Sequence, residues 1–188
     1  SIAPLFSAGF FPMHDNAQVA RVHEMKKAIL EGQFPVRWVA DLGYGYGYPI
    51  FNFYGPLPYY VGGFFGIIGF DDLMATKIMF GIGVLLSAVF MWYLGKRLSG
   101  DAIGILTAIL YQYAPYHAAD MYVRGAAGEL YAYAFMPLFF LGIIGIVQKG
   151  IFSTWTKKRN YWNDAIVGGM GFAAIILSHN ITAMLALF

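Results

Sequence analysis

Four stretches of this chain carry almost no charge, and nothing else in it constrains the fold as strongly. Residues 73–95 hold one charged side chain, Lys77; 102–118 and 130–148 hold no acid, lysine or arginine; 165–188 hold His179 as their one ionisable group. A helix rises about 1.5 Å per residue, so about 20 apolar residues cross the roughly 30 Å of hydrocarbon in a bilayer. Composition agrees: 12% of the 188 residues are charged and 59% are hydrophobic, where a soluble domain is about a quarter charged. The fold is therefore expected to be all-α, a polytopic transmembrane helix bundle. A net charge of +2 offers no polycationic face for nucleic acid. The absence of cysteine excludes disulfide frameworks, cysteine-ligated metals and thiol nucleophiles.

Residues 51–70 are apolar too, but Gly55, Pro56 and Pro58 break their start and leave 57–70, about 21 Å of helix. That is too short to cross, so this piece is expected as a re-entrant or interfacial helix against protein. Basic residues set the orientation. Lys96 and Arg97, then Lys149, Lys157, Lys158 and Arg159, fall in two short loops expected on the cytoplasmic side. The opposite face then receives 14–72 as a long first external loop, together with Asp120, Arg124 and Glu129. Residues 1–13, apolar and opening on Ser1, are expected as the end of a first transmembrane helix. The chain then reads as one membrane domain from the N-terminal part of a longer protein.

Within the external loop, 17–31 reads as an amphipathic helix. Val19, Val22, Met25, Ile29 and Leu30 fall near one stripe, with Gln18, Arg21, Glu24, Lys27 and Glu31 elsewhere. Asp15 or Asn16 would cap its start and Gly32 would stop it; such a helix would lie along the membrane surface. The run from Gly43 to Pro49 alternates glycine with Tyr44, Tyr46 and Tyr48 and makes a poor helix. It reads either as an aromatic belt at the headgroups or as a platform for a sugar ring or lipid phosphate, with Arg37 shortly before it.

Two charged constellations carry candidate chemistry. His14-Asp15 would surface at the aqueous boundary, where a carboxylate backed by imidazole can act as a general base or bind a divalent cation; helix capping by Asp15 is the alternative. Asp120, Arg124 and Glu129 lie between two uncharged spans, where ionisable groups are costly enough to suggest function. Arg124 could clamp a phosphate with its planar fork while Asp120 and Glu129 hold a metal or orient an acceptor. An internal salt bridge is the alternative there. His179, between Ser178 and Asn180, suggests a polar interior face in the last apolar run. Asp71-Asp72 reads as the N-cap of the helix that follows. No Ser-His-Asp spacing, His-Glu-x-x-His motif or phosphate-binding P-loop occurs.

Together, His14-Asp15-Asn16, Arg21, Glu31-Gly32-Gln33-Phe34-Pro35-Val36-Arg37, the Gly43 to Pro49 run, Tyr122-Val123-Arg124-Gly125-Ala126-Ala127-Gly128-Glu129 and Ser178-His179-Asn180 resemble a bacterial and archaeal membrane family. That family is labelled 6-pyruvoyl-tetrahydropterin synthase-related and is itself similar to the GT-C glycosyltransferases; nothing here resembles the soluble synthase's zinc-binding histidines. The resemblance covers nearly the whole chain. It implies a GT-C-like bundle with juxtamembrane helices 17–31 and 57–70, and a catalytic Asp15, with His14 where many GT-C proteins carry a second acid. It also implies a lipid-phosphate site in the second external loop, formed by Asp120, Arg124 and Glu129, with Arg37, Tyr44, Tyr46, Tyr48 and His179 as further binding candidates. Asp15, Asp120 and Glu129 are the candidate ligands of a divalent metal, Mg or Mn. The implied reaction is transfer of a hexose or pentose from a polyprenyl-phosphate donor to an acceptor on the external face of a bacterial or archaeal cytoplasmic membrane. A lipid or polysaccharide transporter, or flippase component, and a non-catalytic scaffold are the alternatives.

Overall fold

The computed structural model describes residues 2–10, 12–151 and 161–187. Among them every regular element is helical: α1 (Gln18–Leu30), α2 (Leu57–Ile67), α3 (Asp72–Ser99), α4 (Asp101–Gln112), α5 (Pro115–Ala118), a π-helical turn (Ala119–Arg124), α6 (Ala127–Ile151), α7 (Trp162–Ser178) and α8 (Asn180–Leu185), with short 3-10 turns at Ala3–Phe6 and Ile50–Asn52. Two helices are long and apolar enough to cross a bilayer, α3 and the stretch Ala127–Gln148 of α6. α4 and α7 are apolar but shorter, at 12 and 17 residues. Lys157, Lys158 and Arg159 lie outside the described residues.

α3 begins where expected: Asp71 is its N-cap, and its side chain accepts the Met74 N–H at 2.9 Å. α4 packs back along α3, and α7 back along α6. Arg97 near the end of α3 donates to Gln148 of α6 at 3.3 Å and pairs with Asp164 of α7 at 2.8 Å. One end of the bundle therefore gathers the close of α3, the close of α6 and the opening of α7. Gly142 and Gly168 let α6 and α7 touch backbone to backbone, since a β-carbon on Gly142 would lie 2.3 Å from the Gly168 Cα.

Polar cross-links supply what apolar packing alone cannot. Pro137 sits inside α6 and has no N–H, so the Tyr133 carbonyl loses its partner four residues on. The Tyr111 hydroxyl of α4 donates to that carbonyl at 2.8 Å, and its ring stacks on Tyr133 with centroids 4.1 Å apart. Tyr131 of α6 likewise donates to the Met79 carbonyl of α3 at 2.8 Å.

Several expected boundaries move. Residues 2–10 form a 3-10 turn and irregular chain, not the close of a membrane helix: the turn carries Pro4, and Ser7 leaves it with extended backbone. The apolar run 102–118 stops being regular helix at Gln112, because Pro115 disfavours helical backbone at Ala114, whose ψ is 129°. The run 165–188 breaks at His179. Asp15 and Asn16 do not cap α1; the N-cap is Ala17, with no side-chain bond, because the Asp15 carboxylate is engaged by Arg21 and Gln18. The apolar stripe of α1 is also narrower than expected. Val22 and Met25 are fully buried, but Leu30 is exposed, while Gln18, Arg21 and Glu24, placed off that stripe, are buried. These polar groups face protein because α1 packs across both α2 and α3.

Candidate functional site

At the end of the bundle opposite Arg97, the chain segments meet around a cavity of about 310 Å³. Asp15, Gln18, Tyr54, Gly55, Tyr59, Arg124, the first turn of α6 from Ala127 to Glu129, and residues 178–181 line it. Two backbone hydrogen bonds lock the first constellation to the second: His14 N–H donates to the Val123 carbonyl at 2.8 Å, and Asp15 N–H to the Arg124 carbonyl at 3.0 Å. Gly55 and Gly128 both press on the Ser178 carbonyl; a β-carbon would come within 2.1 and 2.5 Å of it.

Asp15 is held by a buried cradle. Arg21 Nη1 lies 2.6 Å from Asp15 Oδ2, and Gln18 Nε2 donates to the same oxygen at 3.0 Å and to the Gly125 carbonyl at 2.7 Å. The Tyr59 hydroxyl donates to Gln18 Oε1 at 2.9 Å and accepts from Arg21 at 3.3 Å. Burial raises the Tyr59 hydroxyl to about 12 against the opposing pull of Arg21, so it stays a neutral donor. The Arg21 guanidinium also sits 4.2 Å from the centre of the Tyr54 ring. All of these contacts to the carboxylate fall on Oδ2, which leaves Oδ1 for a ligand.

Arg124 is the centre of a second cluster. It pairs with Glu129 at 2.7 Å through Nη2, and through Nη1 with Asp120 at 3.1 Å and the Tyr116 hydroxyl at 3.2 Å; Tyr116 also donates to Glu129. The π-helical turn brings Asp120 behind Arg124, where it is 1% exposed and its Oδ2 has no hydrogen-bond partner. Burial, reinforced by the Glu129 charge, pushes Asp120 up to about 7 despite Arg124. Beside this cluster the first turn of α6 faces the cavity, and the leading N–H groups of a helix lack partners within it.

The cavity thus brings together Asp15, Arg124, Glu129 and His179. His14 is exposed and does not line it, and Asp120 stands behind it. Arg37 bonds Asn52 at 2.9 Å, and Tyr44, Tyr46 and Tyr48 are exposed on a separate loop closed by the Val39–Tyr48 bridge. Gln18, Arg21, Tyr54 and Tyr59 join the site without having been singled out as site residues. For two of them a signal existed: Asp15, Gln18 and Arg21 are spaced by three, which stacks them along one side of a helix start. Tyr54 and Tyr59 come in through tertiary packing alone.

The three acids named as candidate metal ligands are each paired with an arginine, and among the described residues they are not the acids whose ligand atoms lie close together. Asp120 and Glu129 are both paired with Arg124, and Asp15 with Arg21, so their charges are already balanced by guanidinium groups. His23, Glu24 and Asp41 come closer to a ligand set, but Lys27 pairs with Asp41 at 2.6 Å and Asp72 holds His23 at 2.7 Å.

Comparison with known proteins adds a family. The family described as 6-pyruvoyl-tetrahydropterin synthase related domain, membrane protein, matches residues 51–188. A protein of Lactococcus lactis subsp. cremoris (strain MG1363), named only as uncharacterized, is 23% identical over 193 residues. That alignment covers 98% of this chain and 29% of the relative, so the chain spans less than a third of the relative's length. No solved structure matches.

Proposed function

This chain belongs to the 6-pyruvoyl-tetrahydropterin synthase related family of membrane proteins, and on that premise we propose that it forms part of a GT-C-like glycosyltransferase. In this reading the described helices belong to a polytopic bundle in the cytoplasmic membrane. α4 with α5 and α7 with α8 act as composite spans, and the cavity opens on the external face. The outward apolar side chains of α4 and α7, such as Ile105, Ile109, Ile166 and Met170, suit lipid contact better than water.

The observation that carries the proposal is the convergence of Asp15, Arg124, Glu129 and His179 on one cavity. A polyprenyl-phosphate sugar would place its phosphate against Arg124 and the opening turn of α6. An acceptor hydroxyl would bind Asp15 Oδ1. As its oxygen attacks the anomeric carbon, its proton passes to Asp15, and the sugar–phosphate bond breaks with the electron pair left on the polyprenyl phosphate. Arg124 stabilises the charge that develops on that leaving group. Glu129 and Asp120 aim its guanidinium.

The test is sugar transfer from polyprenyl-phosphate donors by the intact protein in proteoliposomes. Asp15→Asn should abolish transfer in protein that still folds, at a lower unfolding midpoint because Arg21 loses its carboxylate partner; unchanged turnover refutes the role given to Asp15. Lipid movement across the bilayer without sugar release would replace the transferase by a transporter.

A further inference from the structure

We propose that His179 serves the cavity as a hydrogen-bond donor, offering Nε2–H to an anionic oxygen of the ligand, and that it is not the site's proton acceptor. For the identity of that ligand the inference rests on the lipid-phosphate reading above; the state of the ring follows from the helix break itself.

α7 ends at Ser178, and His179 is extended, with φ −151° and ψ 112°. Its side chain turns back to cap α8: Nδ1 accepts the Thr182 backbone N–H at 3.4 Å and lies 2.7 Å from the Thr182 hydroxyl oxygen. A backbone N–H can only donate, so Nδ1 must present its lone pair, and a neutral imidazole then carries its proton on Nε2. The Thr182 hydroxyl is free to rotate and, with Nδ1 unprotonated, can donate to the same nitrogen. A proton on Nδ1 would set N–H against N–H and undo the cap. Among the described residues Nε2 has no hydrogen-bond partner, and the ring lines the cavity beside Arg124 and the first turn of α6.

The cavity therefore holds two kinds of group. Asp15 and Glu129, when ionised, can only accept; Arg124, the Gly128 and Glu129 N–H groups of α6 (that of Ala127 goes to the Gly125 carbonyl) and His179 Nε2–H can donate. Donors collected in this way suit the oxygens of a phosphate, and they leave proton removal from an acceptor to Asp15.

Histidine 15N NMR of the intact protein in lipid nanodiscs tests this, with His179 assigned by the resonances lost in His179→Gln and Arg124 followed through its guanidinium signals. The expected result is an unprotonated Nδ1 and a protonated Nε2 at neutral pH, with farnesyl phosphate shifting the Nε2 resonance. Inorganic phosphate producing the same shift would support the proposal and assign recognition to the headgroup. A ring protonated on Nδ1 before any ligand is added overturns the inference, whatever the cavity binds. Farnesyl phosphate that shifts Arg124 but leaves Nε2 unmoved overturns it while the lipid-phosphate reading stands. Farnesyl phosphate that shifts neither group refutes the lipid-phosphate reading and the donor role with it.

Discussion

The Arg21 guanidinium lies 2.6 Å from the Asp15 carboxylate, with the arginine side chain 8% exposed and the aspartate side chain 26%. One turn of α1 thus delivers the cation that holds the acid of the cavity. Removing one member of a largely buried ion pair leaves the other uncompensated, at a cost of about 3–5 kcal/mol. Arg21→Met should lower the unfolding free energy by that order in a denaturant titration of the detergent-solubilised protein. Arg21→Lys keeps the charge but loses the planar guanidinium that lies over the Tyr54 ring while its Nη1 reaches both Asp15 and Tyr59, and should recover only part of the loss. If both variants unfold like the parent protein, the pair contributes nothing to stability.

Asp120 gives the fold a pH dependence. Burial, with the Glu129 charge adding to it and Arg124 opposing, raises its carboxyl to about 7, whereas an unfolded aspartate titrates near about 3.9. Between those values the folded protein binds a proton that the unfolded chain has released, so stability falls as pH rises. This contribution is fully present below about pH 4 and is lost as pH climbs through about 7. Asp120→Asn should flatten the slope of unfolding midpoint against pH over that window. A parent protein whose midpoint rises from about pH 5 to 7 while Asp120→Asn stays flat would give the opposite sign and exclude a raised Asp120.

Tyr111 and Pro137 are coupled through an oxygen that belongs to neither, the Tyr133 carbonyl. Tyr111→Phe keeps the ring stack but leaves that carbonyl unpaired, at about 1–3 kcal/mol. Pro137→Ala restores the missing N–H. Added to Tyr111→Phe, it should recover most of the loss, giving a clear coupling energy in a double-mutant cycle. Purely additive effects would mean that the hydroxyl does not satisfy the carbonyl.

The order of elements was legible because apolar runs and prolines act locally. The starts of α2 and α3 follow from Pro56, Pro58 and Asp71, and α1 ends one residue from its expected close. What was not legible depends on contacts across the chain. Asp15 looks like an N-cap by sequence, yet Arg21, six residues on, competes for its carboxylate. His179 looks like an interior residue of one long span, but Ser178 donates back to the Ala174 carbonyl at 2.6 Å and the imidazole caps a new helix. In the site, Asp15, Arg124 and Glu129 were found by their charge. Tyr54 and Tyr59 were not, because tyrosines are frequent in this chain and only the folded chain brings these two, one half-exposed and one buried, to the cavity wall.

The proposed orientation makes a last prediction that separates it from its mirror. α3 is 28 residues long, about 42 Å, and a bilayer crossed once by it puts Tyr46 and Asp101 on opposite sides only if α2 does not cross. α2 covers 11 residues, about 17 Å, short of the hydrocarbon thickness. Tyr46 is 89% exposed on its loop, and the Asp101 side chain is 67% exposed beside Lys96, so either position accepts a cysteine at little cost. The chain has no cysteine of its own. In intact cells a membrane-impermeant thiol reagent should label Tyr46→Cys at once and Asp101→Cys only after permeabilisation. Labelling of both from outside, or of neither, would mean that α2 crosses the membrane, and Asp15 would then share a face with Lys96 and Arg97.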